Sequence, residues 1–515
     1  MRTVRQLIDA RATNDPHAVY FIAPHTGQSL TFAQLRQSCI AMSMMLAARG
    51  AQPGDHVSFV LGNGIQTVRM LLGTIYGGYC AHPVNLLSQP EQMRYVLEHA
   101  DSKIVFAAPD WLARVQDVAA TIARPIDVIA VDPDGAALLD KYALPGEDAL
   151  SDSRALPTDP SPDAPALLMY TSGTTGKPKG VMLTQANLAA NALSISREHR
   201  LGNTDRVAAV LPLYHINAFA VTMLAPLAHG GSLVMPPKFS AASFWDLAID
   251  HRCTWLNVVP TIVSYLLEGA APPREELSRI RFCRSASAAL PPEHHRAFEA
   301  KFGVTIIETM GLTETVAPAF SNPIDPQLRK IGSVGRASGC KAQVVDQAGA
   351  PVPDGSVGEI AVCGPQVMPG YYKNPEATAA AFFPEQWLRT GDLGYRDADG
   401  FFFITGRIKE LIIKGGENIA PREIDEVLLR HPAVLDAAAV GIPDRHYGQD
   451  IMACVIVREG QHCTEDELRD FCVRELGRYK TPIVFRFVDD LPRGPSGKVQ
   501  RLKLAELAPD ASAAA

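Results

Sequence analysis

Short apolar runs alternate with longer mixed stretches through the first 150 residues. Residues 57–61 (Val-Ser-Phe-Val-Leu) read as a strand, residues 67–79 as a helix and residues 104–108 (Ile-Val-Phe-Ala-Ala) as the next strand. Such a rhythm predicts parallel sheets covered by helices, because parallel neighbours need a crossover and a helix supplies it. Upstream, Thr31-Phe-Ala-Gln34 has the form of a capping box and predicts a helix start. Further units run over residues 205–235 and from residue 254 to a strand at 281–285. From Ile331 onward the pattern changes. Residues 342–346 and 358–363 are short β-like runs broken by Pro and Gly, predicting a small antiparallel barrel or sheet, and residues 401–407 add a strand and turn. The rest of the chain reads as a compact α+β module of about a hundred residues, enough to fold by itself. No internal repeat is present, and only the Ala-rich tail is of low complexity.

Composition narrows the class without naming a function. A chain of 515 residues exceeds one core, so two or more domains are expected. With 47% hydrophobic and 20% charged residues it has the make-up of a globular protein. A net charge of −7 gives no reason to expect nucleic acid or an anionic membrane surface. The nine cysteines form no Cys-x-x-Cys pair, which points to reduced thiols rather than a disulfide framework or zinc site. The N-terminus lacks the apolar core of a signal peptide, and residues 218–235, the most membrane-like run, contain Pro226, His229 and a Gly pair. The expectation is a cytoplasmic protein with no membrane span and no peroxisomal address.

The candidate chemistry begins directly after the apolar run 164–169. Residues 170–180 (Tyr170, Thr171, Ser172, Gly173, Thr174, Thr175, Gly176, Lys177, Pro178, Lys179, Gly180) hold three glycines, four Ser/Thr hydroxyls and two lysines. Glycines let backbone N–H groups converge on one point, a nest suited to polyphosphate, although a polar surface turn has the same composition. It is not a Walker loop: Thr171 stands where the first glycine belongs and Pro178 where the Ser/Thr belongs. Further along come Thr309-Met-Gly-Leu-Thr-Glu314, Arg389-Thr-Gly-Asp392, Gly406-Arg-Ile-Lys409, Lys414-Gly-Gly-Glu-Asn418 and Pro495-Ser-Gly-Lys498. In order and spacing this set resembles the AMP-forming adenylate ligases, the superfamily of acyl-CoA synthetases, luciferases and peptide-synthetase adenylation domains. The resemblance covers residues 10 to 504.

That resemblance implies an α/β fold. Residues 1–408 would form a large N-terminal domain of two stacked, mostly parallel α/β subdomains plus a small β-barrel-like subdomain. Residues 409–515 would form a small mobile α+β C-terminal domain carrying the catalytic lysine. The implied reaction is ATP-dependent acid–CoA ligation through an acyl-adenylate, releasing pyrophosphate and then AMP, with ATP, Mg²⁺ and coenzyme A required. Its implied partners are those small molecules and a carboxylic acid; a homodimer is compatible with it.

Each implied role stands beside a plainer one. Glu314, after an apolar run, would hold Mg²⁺ with Thr174 as hard oxygen ligands do, or be a solvated loop glutamate. Residues 171–177 would cradle the phosphates, and Thr313 would bond the α-phosphate. Asp392, expected at a strand end, would accept from ribose hydroxyls, with Arg407 beside it; a turn aspartate and a structural ion pair are the alternatives. Lys498, in a glycine-rich loop, would meet the charge that develops as the carboxylate attacks the α-phosphorus. Otherwise it is an exposed lysine. His215, near Asn217, would line and gate the acyl pocket, though a satisfied core histidine is its rival and no general base is needed for a carboxylate already ionised. Lys409 would be the hinge between two poses of the C-terminal domain, one bringing Lys498 to ATP and the other bringing Gly415 and Gly416 to the pantetheine channel.

The pattern departs from the family at three places. Met310 replaces the usual Tyr that faces adenine, leaving a polarizable sulfur and Gly311 beside the base. Ser285 and Ser287 replace a more frequent Gly-Ala-Pro pattern and would offer hydroxyls to a polar acid. Residues 239–245, 259–261 and 284–285 resemble the branch containing oxalate–CoA ligases, but Val316 stands where that branch carries a histidine, which points to another small acid. A stand-alone adenylation enzyme loading a carrier protein and a non-catalytic nucleotide-binding homologue are the competing readings.

Overall fold

A computed structural model describes residues 2–135, 139, 158–171, 177–493 and 499–508, and among them four sheets form. The seven-stranded sheet is centred on His56–Val60, Cys80–Pro83 and Ile104–Ala107, all parallel. The joining helix Ile65–Tyr76 is buried on every face because it is sandwiched rather than solvent-facing. Pro165–Thr171 and Lys179–Thr184 pair antiparallel in the same sheet, with Thr171 opposite Lys179, so the donor-rich stretch joins these two strands. In the nine-stranded sheet, Arg206–Ala209, Trp255–Val258, Phe282–Ser285 and Ile306–Leu312 are successive parallel neighbours.

Side-chain caps start the helices where the sequence asks for them. Thr31 and Gln34 exchange hydrogen bonds at the head of Phe32–Ala48, and Thr184 and Asn187 do the same for Gln185–Glu198. Both large sheets bury their apolar faces in one core that includes Phe59, Phe106, Trp255 and Phe282. The curled antiparallel sheet of Lys341–Val345, Gly358–Cys363, Trp387–Arg396 and Phe402–Arg407 joins that core through Ile360, Leu388 and Phe402. Residues from Ile412 onward build separate cores, one around Ile424, Ile451 and Phe485 and another around Met452, Leu491 and Leu504. Between the two parts lies a single 3₁₀ turn, Ile408–Glu410.

One expectation needs correcting. Asp392 sits inside a ten-residue strand, Trp387–Arg396, not at a strand end. That strand has partners on both sides, Gly358–Cys363 and Phe402–Arg407, and a bulge rather than a terminus absorbs the glycines. The strand expected at 281–285 is present as Phe282–Ser285 and ends there. Ser287 is in the left-handed region (φ +74°), and the Leu290 N–H turns to the Glu308 carboxylate instead of a strand neighbour.

The membrane-like run is core. Asn217–Leu224 is a π-helix, wholly buried, continued by the helix Ala225–His229 and ended by Gly230 at φ +81°. No helix among the described residues is long and apolar enough to cross a membrane.

Candidate active site

A cavity of about 520 Å³ lies between the large body and the last hundred residues. Ser287, Glu308, Met310, Gly311, Asp392 and Arg407 line it from one side, and Arg422, Asp425, Arg493, Val499 and Arg501 from the other. Ser172, Gly173, Thr174, Thr175, Gly176 and Lys498 fall outside the described residues. The described residues on either side of 494–498, Arg493 and Val499, pair in a short bridge on the cavity wall.

Asp392 and Arg407 face each other across two adjacent strands, and the Arg407 Nε lies 2.7 Å from the Asp392 carboxylate. Burial opposes the Arg407 charge, yet Asp392, Glu410 and Glu314 together hold its pKa above the usual value. Met310 and Gly311 come from the end of Ile306–Leu312, where Gly311 has no alternative: a Cβ there would meet the Ala317 carbonyl oxygen at 1.7 Å. That crowding reflects a tight return. The Thr315 hydroxyl donates to the Ala317 carbonyl at 2.8 Å, and Val316 and Ala317 are both left-handed (φ +56° and +73°). A buried β-branched residue in that region stores strain, a feature that clusters at ligand sites.

Thr313 and Glu314 occupy the 3₁₀ turn Thr313–Thr315. The Tyr371 hydroxyl donates to a Glu314 carboxylate oxygen at 2.8 Å, and Lys179 lies 4.9 Å over the Tyr371 ring. This ties Glu314 to the strand that leaves the donor-rich stretch. Lys177, on the same side, lies 5.9 Å over the Tyr95 ring. No cluster of three metal-ligating side chains forms among the described residues. A single carboxylate such as Glu314 fits Mg²⁺, which takes few protein ligands and completes its shell with phosphate oxygens and water.

His215 is half-buried, its ring 4.7 Å from that of Tyr214, and its carbonyl accepts from Phe219 N–H at the head of the π-helix. Asn217, two residues on, donates to the Ser287 hydroxyl at 3.2 Å. Ser285 is fully buried and its hydroxyl has no hydrogen-bond partner among the described residues. Away from the cavity, Gly415 and Gly416 (φ +56° and +88°) make the two-residue hairpin between Ile412–Lys414 and Glu417–Ile419, a turn that demands glycine-like backbone. The buried Lys414 at its base pairs with Asp450 at 2.6 Å, below the Tyr447 and Tyr479 rings.

Two residues of this region escaped the sequence reading. Glu308 is buried, with one oxygen accepting from Leu290 N–H at 3.1 Å and the other unpartnered. Burial pushes its pKa up to about 7, against the pull of Arg422 and the Leu290 N–H. Arg284, also buried, donates from Nη1 to the side-chain oxygens of Asn217 and Asn257, each at 2.7 Å. Burial lowers its pKa to about 9. A charged residue within an apolar strand run was the available signal in both cases.

Comparison with known proteins agrees with this geometry. The model of the AMP-binding enzyme family matches residues 8–372, and that of the AMP-binding enzyme C-terminal domain matches residues 423–498. The sulfoacetate–CoA ligase of Cupriavidus necator is 57% identical over 505 residues, spanning 98% of this chain and 97% of its own. An oxalate–CoA ligase of Arabidopsis thaliana is 36% identical over 90% of this chain and 91% of its own. The crystal structure of ATP-bound MatB from Rhodopseudomonas palustris superposes with a TM-score of 0.91 at 32% identity, covering 99% of each chain. With Met310, Gly311, Asp392 and Arg407 from three of the motifs gathered on one cavity, this chain belongs to the AMP-binding enzyme family and is an AMP-forming acid–CoA ligase that uses ATP, Mg²⁺ and coenzyme A.

Proposed function

We propose that this ligase activates sulfoacetate or a closely similar small carboxylic acid bearing a second anionic group. The observation that carries this reading is the 57% identity, sustained over the whole chain, with a sulfoacetate–CoA ligase. In the first half-reaction a carboxylate oxygen bonds to the α-phosphorus of ATP and pyrophosphate leaves. In the second, the CoA thiolate bonds to the acyl carbon and AMP leaves.

Residue roles follow from that chemistry. Thr171 through Lys177 hold the leaving pyrophosphate, and Glu314 with Thr174 would hold Mg²⁺, which supplies charge neutralisation at the phosphates. Thr313 bonds the α-phosphate, Asp392 and Arg407 hold the ribose, and Met310 and Gly311 bound the adenine. Lys498 stabilises the charge that builds on the α-phosphate. His215, Asn217, Ser285, Ser287 and Val316 shape the acid pocket, and Gly415 and Gly416 admit pantetheine. The C-terminal domain begins at residue 409 and pivots there; the separate cores after Ile412 support this division. The free thiols of all nine cysteines suit a reducing cytoplasm. A homodimer is proposed with it, tested by the mass in solution against 55.5 kDa for one chain.

Acid-dependent ATP–pyrophosphate exchange and CoA-dependent AMP release, measured across sulfoacetate, malonate, oxalate, acetate and propionate, test the substrate. The expected outcome is a kcat/KM for sulfoacetate well above those for acetate and propionate. A preference for a monocarboxylate would overturn the reading.

A further inference from the structure

Arg284 is a cation placed where no carboxylate meets it. It leaves the strand Phe282–Ser285 toward Asn257, its in-register neighbour on Trp255–Val258, and is 1% exposed. No Asp or Glu forms an ion pair with it among the described residues; its two Nη1 contacts are neutral amide oxygens. Its Nε is buried without a hydrogen-bond partner among the described residues. A buried guanidinium is expected to be paired, and a neutral amide is a weaker partner than an anion. Nη1 is committed to the two asparagines, so the Nε edge of the fork is the edge left for an anion, and that edge suits the paired oxygens of a carboxylate or sulfonate.

The asparagines also fix where the edge belongs. Asn217 accepts from Arg284 and, at 3.4 Å, from the Asn257 amide, while its own amide donates to Ser287 at 3.2 Å. Ser287 lines the cavity together with Met310, Gly311 and Asp392. A continuous hydrogen-bonded chain therefore runs from the buried cation to the nucleotide cavity, through a residue at the head of the π-helix. We infer that Arg284, oriented by Asn217 and Asn257, receives the distal anionic group of the substrate acid while the reacting carboxylate faces the nucleotide. This assignment rests on the substrate reading above and makes Arg284 the residue that separates doubly charged acids from monocarboxylates.

The test compares sulfoacetate with propionate in ATP–pyrophosphate exchange for the wild type and for Arg284→Met and Asn257→Asp. Arg284→Met keeps the volume without the charge, and Asn257→Asp keeps the guanidinium but gives it an internal carboxylate. In both, kcat/KM for sulfoacetate should fall at least about a hundredfold, as when one partner of a buried charged pair is removed, while that for propionate changes by less than about threefold. Arg284→Lys should restore part of the sulfoacetate rate. If Arg284→Met does not fold, Asn257→Asp decides. Should the folded variants keep the wild-type ratio, or lose both acids in parallel, Arg284 is structural and the inference is wrong. A wild type that itself prefers propionate would instead sink the substrate reading.

Discussion

The two walls of the central cavity are built on different principles. On the large body, Asp392 and Arg407 are fixed by strand register, and Met310 and Gly311 by the crowded return at Ala317, all part of or attached to the main core. On the other wall, Arg501 pairs with Asp425 and Arg493 with Asp436, partners from within the last hundred residues. One 3₁₀ turn, Ile408–Glu410, connects the two. The first wall is complete without the second, and the second carries its own cores. A closing wall also has a chemical purpose, since an acyl-adenylate must be kept from water between half-reactions. With the proposed pivot at residue 409, the contrast becomes a division of labour: residues of the fixed wall should serve both half-reactions, and residues of the wall after the pivot only one.

Lys498→Ala is the most severe way to break that contrast. Adenylation should fall by about a thousandfold, the loss expected when a charge-stabilising donor is removed from a transition state. Thioester formation from supplied acyl-adenylate and CoA should drop less than about threefold. Single-turnover measurement of each half-reaction checks it, and equal losses would show that the wall does not alternate.

Asp392→Ala probes the opposite wall. It strips the Arg407 guanidinium of the carboxylate 2.7 Å away. Stability should fall by about 2 kcal/mol, the usual penalty for leaving one partner of a half-buried charged pair, read as a lowered denaturation midpoint. The KM for ATP should rise about thirtyfold, and thioester formation should weaken too, because on the proposed role the same carboxylate holds AMP. Loss confined to adenylation would contradict a fixed wall.

Glu308 lies where the walls meet, and its effect is smaller and depends on pH. Its pKa is raised by burial to about 7, with Arg422 drawing it down and Glu426 pushing it up from the facing helix Pro421–Leu428. A carboxyl with a raised folded pKa stabilises the fold while protonated. That contribution is complete below the ordinary carboxylate range and is lost as pH rises through about 7. Glu308→Gln should therefore match the wild type near pH 4.5 and exceed it above pH 7 by up to about 3 kcal/mol. Thermal melts from pH 4.5 to 8.5 read the gap. A constant difference across that range would mean that Glu308 does not titrate with the fold.

How much of this was legible in the sequence depends on the reach of each interaction. Alternating strand and helix runs and the Thr31 capping box are local patterns, and they appear where expected. The position of Asp392 within its strand was missed because it depends on two flanking strands, one of them 30 residues upstream. Arg284 and Glu308 were illegible for the same reason. The partners of Arg284 stand 67 and 27 residues away, and Arg422 approaches Glu308 from the helix Pro421–Leu428. Motif strings record which residues recur at a site, whereas burial of a lone charge is a property of packing.

Met310→Tyr gives the gentlest test of the fixed wall. Met310 lies opposite Phe320 in the strand pair and is half-buried on the cavity, so a ring can extend into open space there without displacing the core. A thioether contact with an aromatic ring and an aromatic pair differ by only a few tenths of a kcal/mol to about 1 kcal/mol. The KM for ATP should accordingly fall about threefold, with kcat and the preference among acids unchanged, because the adenine is remote from the reacting carboxylate. An altered acid preference would place Met310 at the acyl pocket instead and redraw the boundary between the two binding regions on this wall.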